Sequence, residues 1–180
     1  HAYTSMVALL LVLFFGVTGI TLNHPEWTFG DAPTTTTKTG TFAFEVAPDG
    51  ATDYLAVSED LRDRYGIGAE VSDYQTTGDQ GSISYRAPGY AADATFSTTT
   101  GEYRVTIEQQ GFVGVMNDLH KGRDASSSWR WAIDASGAIL VVIALSGLIL
   151  QLVLKRRRRR AVIVAVIGSA VALVLVALTL

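Results

Sequence analysis

Histidine is the residue type here best suited to hold a cofactor, and the 180 residues contain only three. All three lie at the ends of apolar stretches: His1 opens the first, His24 closes it, and His120 precedes the second. A helix rising ~1.5 Å per residue puts His1 and His24 about 35 Å apart, on opposite faces of a bilayer, so these two cannot share one ligand. His24 and His120 fall on the same side and can meet. Two neutral imidazoles facing each other across a gap suit six-coordinate haem b, whose iron then has no open position and serves electron transfer. The competing reading is that an interfacial imidazole bonds water, backbone or lipid head groups. Arg123 and Arg130 lie on the same face and could pair with haem propionates, although Asp118, Asp124 and Asp134 are equally good partners for them.

Other chemistry is scarce. The chain has no cysteine, which excludes disulfides, covalent c-type haem attachment and cysteine-ligated iron–sulfur clusters. No histidine occurs between His24 and His120, no glycine-rich phosphate loop is present, and the serines lack a base. Carboxylates such as Asp60, Asp63 and Asp73 are scattered without metal-ligand spacing, which reads as solvated surface. This segment is expected to bind or scaffold, and the sequence leaves open whether the chain is an enzyme.

The elements that would position the histidines are membrane helices. Crossing a hydrocarbon core of about 30 Å takes about 20 apolar residues in a helix. Ala2 to Leu22, Ala135 to Leu154 and Ala161 to Leu180 are each free of charge and long enough. The first run has no small-residue cleavage pattern and is expected to stay as an anchor. The chain opens at His1 without Met and stops inside an apolar run at Leu180, so further sequence is expected at both ends. Lys155 to Arg160 supplies six positive charges in a tight connection, which places that connection in the cytoplasm. The same run could contact nucleic acid or anionic lipid, but apolar spans on both sides make topology the simpler reading, with no nucleic-acid partner and the bilayer as surroundings. Asn23 to Ser127 holds 16 acidic and 7 basic residues and is expected on the exported side. Thr18-Gly19 and Ser146-Gly147 suit close approach of helices or of a flat porphyrin. Trp129 and Trp131 suit interfacial anchoring, and Asp134 a paired or snorkelling carboxylate.

Within the exported segment, Asp31 to Gly40 reads as an extended, solvated linker. Thr41 to Val46 alternates as a short strand with Phe42 and Phe44 inward. Ala56 to Tyr65 reads as a helix capped by Ser58 and ended by Gly66. Four strands follow at Ala69 to Tyr74, Ser82 to Ala87, Ala92 to Ser97 and Tyr103 to Gln109, separated by turn residues. The expected fold is therefore an α+β membrane protein. Its parts are a transmembrane helix over 1–23, a linker over 24–40, an exported helix-plus-antiparallel-sheet domain over 41–115, an interfacial segment and second transmembrane helix over 116–154, a basic loop over 155–160 and a third transmembrane helix over 161–180.

His1-Ala-Tyr-Thr-Ser-Met followed by an apolar run closing in Thr18-Gly19-Ile20-Thr21-Leu22 resembles the first helix of PepSY-associated transmembrane proteins. Leu119-His120-Lys121-Gly122-Arg123, then Trp129-Arg130 and a span carrying Ser146-Gly147, resembles the second. Thr21-Leu-Asn-His-Pro-Glu-Trp27 is similar to a compact subfamily in which a single PepSY domain links these helices, and the helix-then-sheet order of Ala56 to Gln109 suits PepSY. The resemblance covers nearly the whole chain. It implies a multi-pass protein of the bacterial inner membrane with the soluble domain outside, and electron transfer through haem b toward a metal or ferric siderophore. The matching haem ligands are His1, His24 and His120. Two bis-histidine haems need four histidines, so His1 would take its partner from a missing segment, a second copy or another membrane redox subunit. The alternative it leaves is a non-catalytic, membrane-anchored PepSY module that binds a peptidase or a membrane complex.

Overall fold

The computed structural model describes residues 2–122 and 124–179; His1, Arg123 and Leu180 lie outside them. The chain divides into two compact units, His1–Leu11 with Asp134–Leu180, and Val12–Ile133. Three helices are long and apolar enough to cross a membrane: α1 (Ala2–Asn23), α4 (Ser127–Val153) and α5 (Lys155–Thr179). The protein is a multi-pass membrane protein. The basic run expected as a tight loop is instead the first turns of α5, and only Leu154 separates it from α4. Lys and Arg are good helix formers, and the backbone ladder continues through the junction, Leu154 N donating to Leu150 O (3.1 Å) and Arg158 N to Leu154 O (3.0 Å).

Between α1 and α4 lies a helix, α2 (Tyr54–Tyr65), with a five-stranded antiparallel sheet of β1 (Thr34–Thr41), β2 (Glu70–Thr77), β3 (Gln80–Ala87), β4 (Tyr90–Ser97) and β5 (Glu102–Gln109) in the order β1-β5-β4-β3-β2. This is the α+β fold the sequence implied, with one strand displaced. The first strand occupies the threonine run Thr34–Thr41, where an extended linker was expected, and Phe42 to Val46 is not a strand. β-Branched threonines favour extended backbone, and here six of them, with Lys38 and Gly40, find a ladder, Thr34 to Thr41 pairing Gln109 to Glu102 without a break. Phe42 is nevertheless buried and Phe44 is half-buried against the core, so the inward side of this stretch was legible though its conformation was not.

The core follows from period-two alternation. Ile83 and Tyr85 of β3, Ala92, Ala94 and Phe96 of β4, and Tyr103 and Val105 of β5 point to one face, where Val57 and Leu61 of α2 cover them. Asp53, not Ser58, caps α2, its carboxylate accepting from Ala56 N (3.0 Å). Ser58 lies one turn inside the helix, buried, and accepts the Tyr85 hydroxyl (3.0 Å), because a phenol taken into the core needs a polar partner. Gly66 ends the helix in the left-handed conformation (φ 65°), as its position implied. Gly40 and Gly81 sit directly opposite Tyr103 and Phe96, whose rings lie across them; a Cβ there would come within 2.5 Å and 2.3 Å of those rings.

Candidate functional site

The histidines are placed by a short helix that the sequence reading did not isolate, α3 (Phe112–Lys121). Its first residue is Phe112, and the N-terminal donor there is satisfied by Asp31, whose Oδ2 accepts from Phe112 N (2.8 Å). Gly122 in the left-handed conformation (φ 68°) ends it, with Gly122 N donating to Asp118 O. Apolar Val113, Val115, Met116 and Leu119 alternate with Asn117, Asp118 and His120 at helical spacing, so one helix can address two different neighbours.

One neighbour is α1. Thr18 and Thr21 stand one turn apart on α1, Asn117 and His120 one turn apart on α3, and the pairs meet in antiparallel order. The Thr21 hydroxyl donates to Asn117 Oδ1 (2.6 Å), sharing its proton with the Thr18 carbonyl (3.0 Å). Thr18 Oγ1 lies 2.6 Å from the Phe14 carbonyl and 2.5 Å from His120 Nδ1. A carbonyl cannot donate, so the single Thr18 proton goes to Phe14 and His120 Nδ1 must carry the proton that Thr18 accepts. That assignment leaves the lone pair of the neutral imidazole on Nε2. The ring is half-buried, edge-on to Phe15 (5.1 Å between centroids), and its Cε1 lies beside Gly19. Thr18-Gly19 is thus a helix-packing pair.

The other neighbours tie α3 to the rest of its unit. Asp118 Oδ2 accepts from Gly89 N (2.9 Å), in the Pro88-Gly89 turn between β3 and β4. Trp129 Nε1 donates to Leu119 O (2.8 Å), and its ring meets Phe14 edge-on at 6.5 Å. These contacts were not foreseen; the matched one-turn spacing of Thr18/Thr21 and Asn117/His120 was the available signal.

His24 is placed elsewhere. It lies just past α1, its N bonded to Thr21 O (3.2 Å), with its ring stacked on Trp27 (4.2 Å, 9°) and Nδ1 3.2 Å from Glu26 Oε1. Both partners of that contact are solvated, so it adds little stability. His120 engages α1 at Thr18, six residues earlier, about 9 Å along the axis. The described partners of the two imidazoles are therefore different: His120 meets Thr18 and Phe15, and His24 meets Glu26 and Trp27. His1 and Arg123 fall outside the described residues, Arg130 is exposed at the start of α4, and Ser146 Oγ donates within its own helix to Ile143 O (2.9 Å).

In the sheet domain the carboxylates serve structure. Asp60 pairs with Arg64 (2.6 Å), which raises the Arg64 pKa through the hydrogen bond they share, and Asp93 takes two bonds from Arg86 (2.9 and 3.1 Å). Among the described residues no group of three or more His, Cys, Asp and Glu side chains is placed to hold a metal ion. Tyr65 and Tyr103 join hydroxyl to hydroxyl at 2.9 Å, and burial first, then that bond, pushes the Tyr65 phenol up to about 12.

A sequence profile of the family described as PepSY_TM-like matches residues 1–180. No curated protein and no solved structure matches the chain.

Proposed function

Because the chain belongs to the PepSY_TM-like family over its whole length, we propose that it is a non-catalytic, membrane-anchored PepSY module whose sheet domain engages a peptidase or a membrane complex outside the cytoplasmic membrane. The observation that carries this reading is the set of bonds around α3. That ten-residue helix is hydrogen-bonded to the sheet through Asp118 and Gly89, to the loop after α1 through Asp31, and to α1 itself through Asn117 and His120. A load taken up on the sheet reaches α1 through directional bonds. Among the described residues no cluster of three or more His, Cys, Asp and Glu side chains placed to hold a metal ion gathers on the sheet. The six positive charges of Lys155 to Arg160 favour a cytoplasmic position for that segment and hence an exported sheet domain.

A second reading has one observation in its favour. His120 presents Nε2 as a lone pair while its Nδ1–H is held by Thr18, which is the tautomer and outer support that a ligating imidazole uses. In that reading His120 is one axial ligand of haem b, the other comes from a second copy or another membrane redox subunit, and the chain is part of an electron-transfer assembly acting on a metal or ferric siderophore. Haem b would supply one-electron transfer; this chain's own residues fix the imidazole, Thr18 through Nδ1 and Phe15 edge-on to the ring.

One experiment separates the two. The full chain, purified in detergent from haem-replete cells, is examined for its absorbance and for co-purifying protein. The module reading expects no Soret band and a stoichiometric partner that persists in His24→Ala and His120→Ala. A Soret band with a sharp reduced α-band, lost in His120→Ala and kept in His24→Ala, would establish the second reading and end the first.

A further inference from the structure

The six consecutive cations Lys155 to Arg160 lie in a unit whose sequence is almost free of acidic residues. From Ala135 to Leu180 the sequence contains no Asp or Glu, and the first eleven residues contain none either. The unit's single carboxylate, Asp134, is 24 residues before Arg158, and the intervening α4 places it about 30 Å away along its axis, several Debye lengths. Charges this dense repel one another unless anions come from outside the chain.

A groove of about 600 Å³ lies beside them, lined by Leu148, Gln151, Arg160, Ala161, Val164 and Ala165. Its residues follow helical spacing. Leu148 and Gln151 are one turn apart on α4; Arg160 and Val164, and Ala161 and Ala165, are one turn apart on α5, so the lining is two helix faces and not a scatter of side chains. Its lining is mixed: Arg160 and Gln151 supply a guanidinium and an amide, and Leu148, Val164 and two small alanines supply apolar surface. A guanidinium binds a phosphate oxygen pair in a planar fork, an amide adds a donor, and the alanines leave the width of a hydrocarbon chain.

We propose that this groove is a binding site for one anionic phospholipid. Arg160 and Gln151 hold the phosphodiester, and an acyl chain lies along Leu148, Ala161, Val164 and Ala165. The remaining basic residues supply the surrounding positive potential that favours an anionic over a zwitterionic head group. The site is independent of the sheet domain and of the histidines, so it stands whichever reading of function holds.

The test uses the full chain in nanodiscs containing equal phosphatidylglycerol and phosphatidylcholine, with retained lipid counted by native mass spectrometry. The expected result is a single retained phosphatidylglycerol, preferred over phosphatidylcholine. Arg160→Gln weakens that preference about fivefold, the effect of one basic residue at a charged lipid surface. Ala161→Trp fills the groove and abolishes the adduct while leaving all six cations in place. The proposal is overturned if Ala161→Trp retains the lipid, if Arg158→Gln costs as much as Arg160→Gln, if both lipids are retained equally, or if millimolar inorganic phosphate displaces the adduct and so identifies a free anion as the ligand.

Discussion

The rung between Thr21 and Asn117 can be broken from either side, and the structure predicts that the two sides are not equivalent. Both residues are buried, with relative exposures of 9% and 8%. Thr21→Val keeps the side-chain shape, removes the donor that Asn117 Oδ1 has among the described residues, and leaves that oxygen short of a partner; such a loss costs about 1–3 kcal/mol. Asn117→Leu removes the acceptor instead. The Thr21 hydroxyl then keeps its other contact, the Thr18 carbonyl at 3.0 Å, so the cost falls to the low end of that range. The double variant leaves no orphan and should be less destabilised than the two singles added together, by about 1 kcal/mol of coupling. Hydrogen exchange in detergent reads this directly. A loss of about 1.4 kcal/mol lowers the protection of the Phe112–Lys121 amides about tenfold if they open locally, while Ile83 to Phe96 in the sheet keeps its protection. Additive single effects, or equal loss in the sheet and in α3, would refute the rung and with it the coupling of the sheet to α1.

Three further outcomes follow from the same geometry. Imidazole ¹⁵N resonances should report the Nδ1–H tautomer of neutral His120 in the native protein, and Thr18→Val should let the two tautomers mix, because Nδ1 loses its acceptor. Gly81→Val should destabilise the sheet domain by about 1–3 kcal/mol in thermal unfolding, since its Cβ would stand 2.3 Å from the Phe96 ring, whereas Gly68→Val, with open space around it, should not show that overpacking. Alkaline titration should lower the melting temperature between about pH 10 and 12. The Tyr65 phenol is neutral in both states below its ordinary pKa of 10, but above it the unfolded chain loses the proton first, so stability is lost as pH rises toward the folded value of about 12. Tyr65→Phe should flatten that slope.

What the sequence disclosed depended on which forces are local. Three uninterrupted apolar runs are a one-dimensional signal, and all three appear as helices. The four strands after Ala69 were legible because alternation and turn residues coincide, Gly78, Pro88-Gly89 and Gly101 standing at their joints with positive φ at each glycine. The first strand was missed because a threonine run is extended whether it is solvated or paired, and the pairing comes from β5, more than sixty residues later. Ser58 and Asp53 both suit a cap, and only the burial of the Tyr85 hydroxyl, a tertiary event, diverts Ser58 to another task. The partners of the histidines were hidden for the same kind of reason. Position relative to a membrane span says which side a residue is on, not which neighbour it takes, and His120 takes a threonine inside the span.

That last point bears on where the membrane protein ends and the module begins. Had α1 been merely an anchor, its polar residues would be expected at its rim, where water satisfies them. Thr18 and Thr21 are instead buried at 5% and 9% exposure, bonded to side chains of α3. Every hydroxyl in this stretch has a protein acceptor, and Gly19 has no side chain, which is the composition of a helix-to-helix interface and not of a lipid-facing one. The outer part of α1 thus belongs to the same compact unit as the sheet, Val12–Ile133, whereas its residues up to Leu11 group with Asp134–Leu180. Substituting Thr18 and Thr21 together by leucine keeps, and even raises, the hydropathy that membrane insertion requires. It should therefore leave the span intact and release α3. Maleimide labelling of a single cysteine placed at position 116 of this naturally cysteine-free chain would rise in that variant; unchanged labelling would mean that lipid, and not α3, covers those threonines.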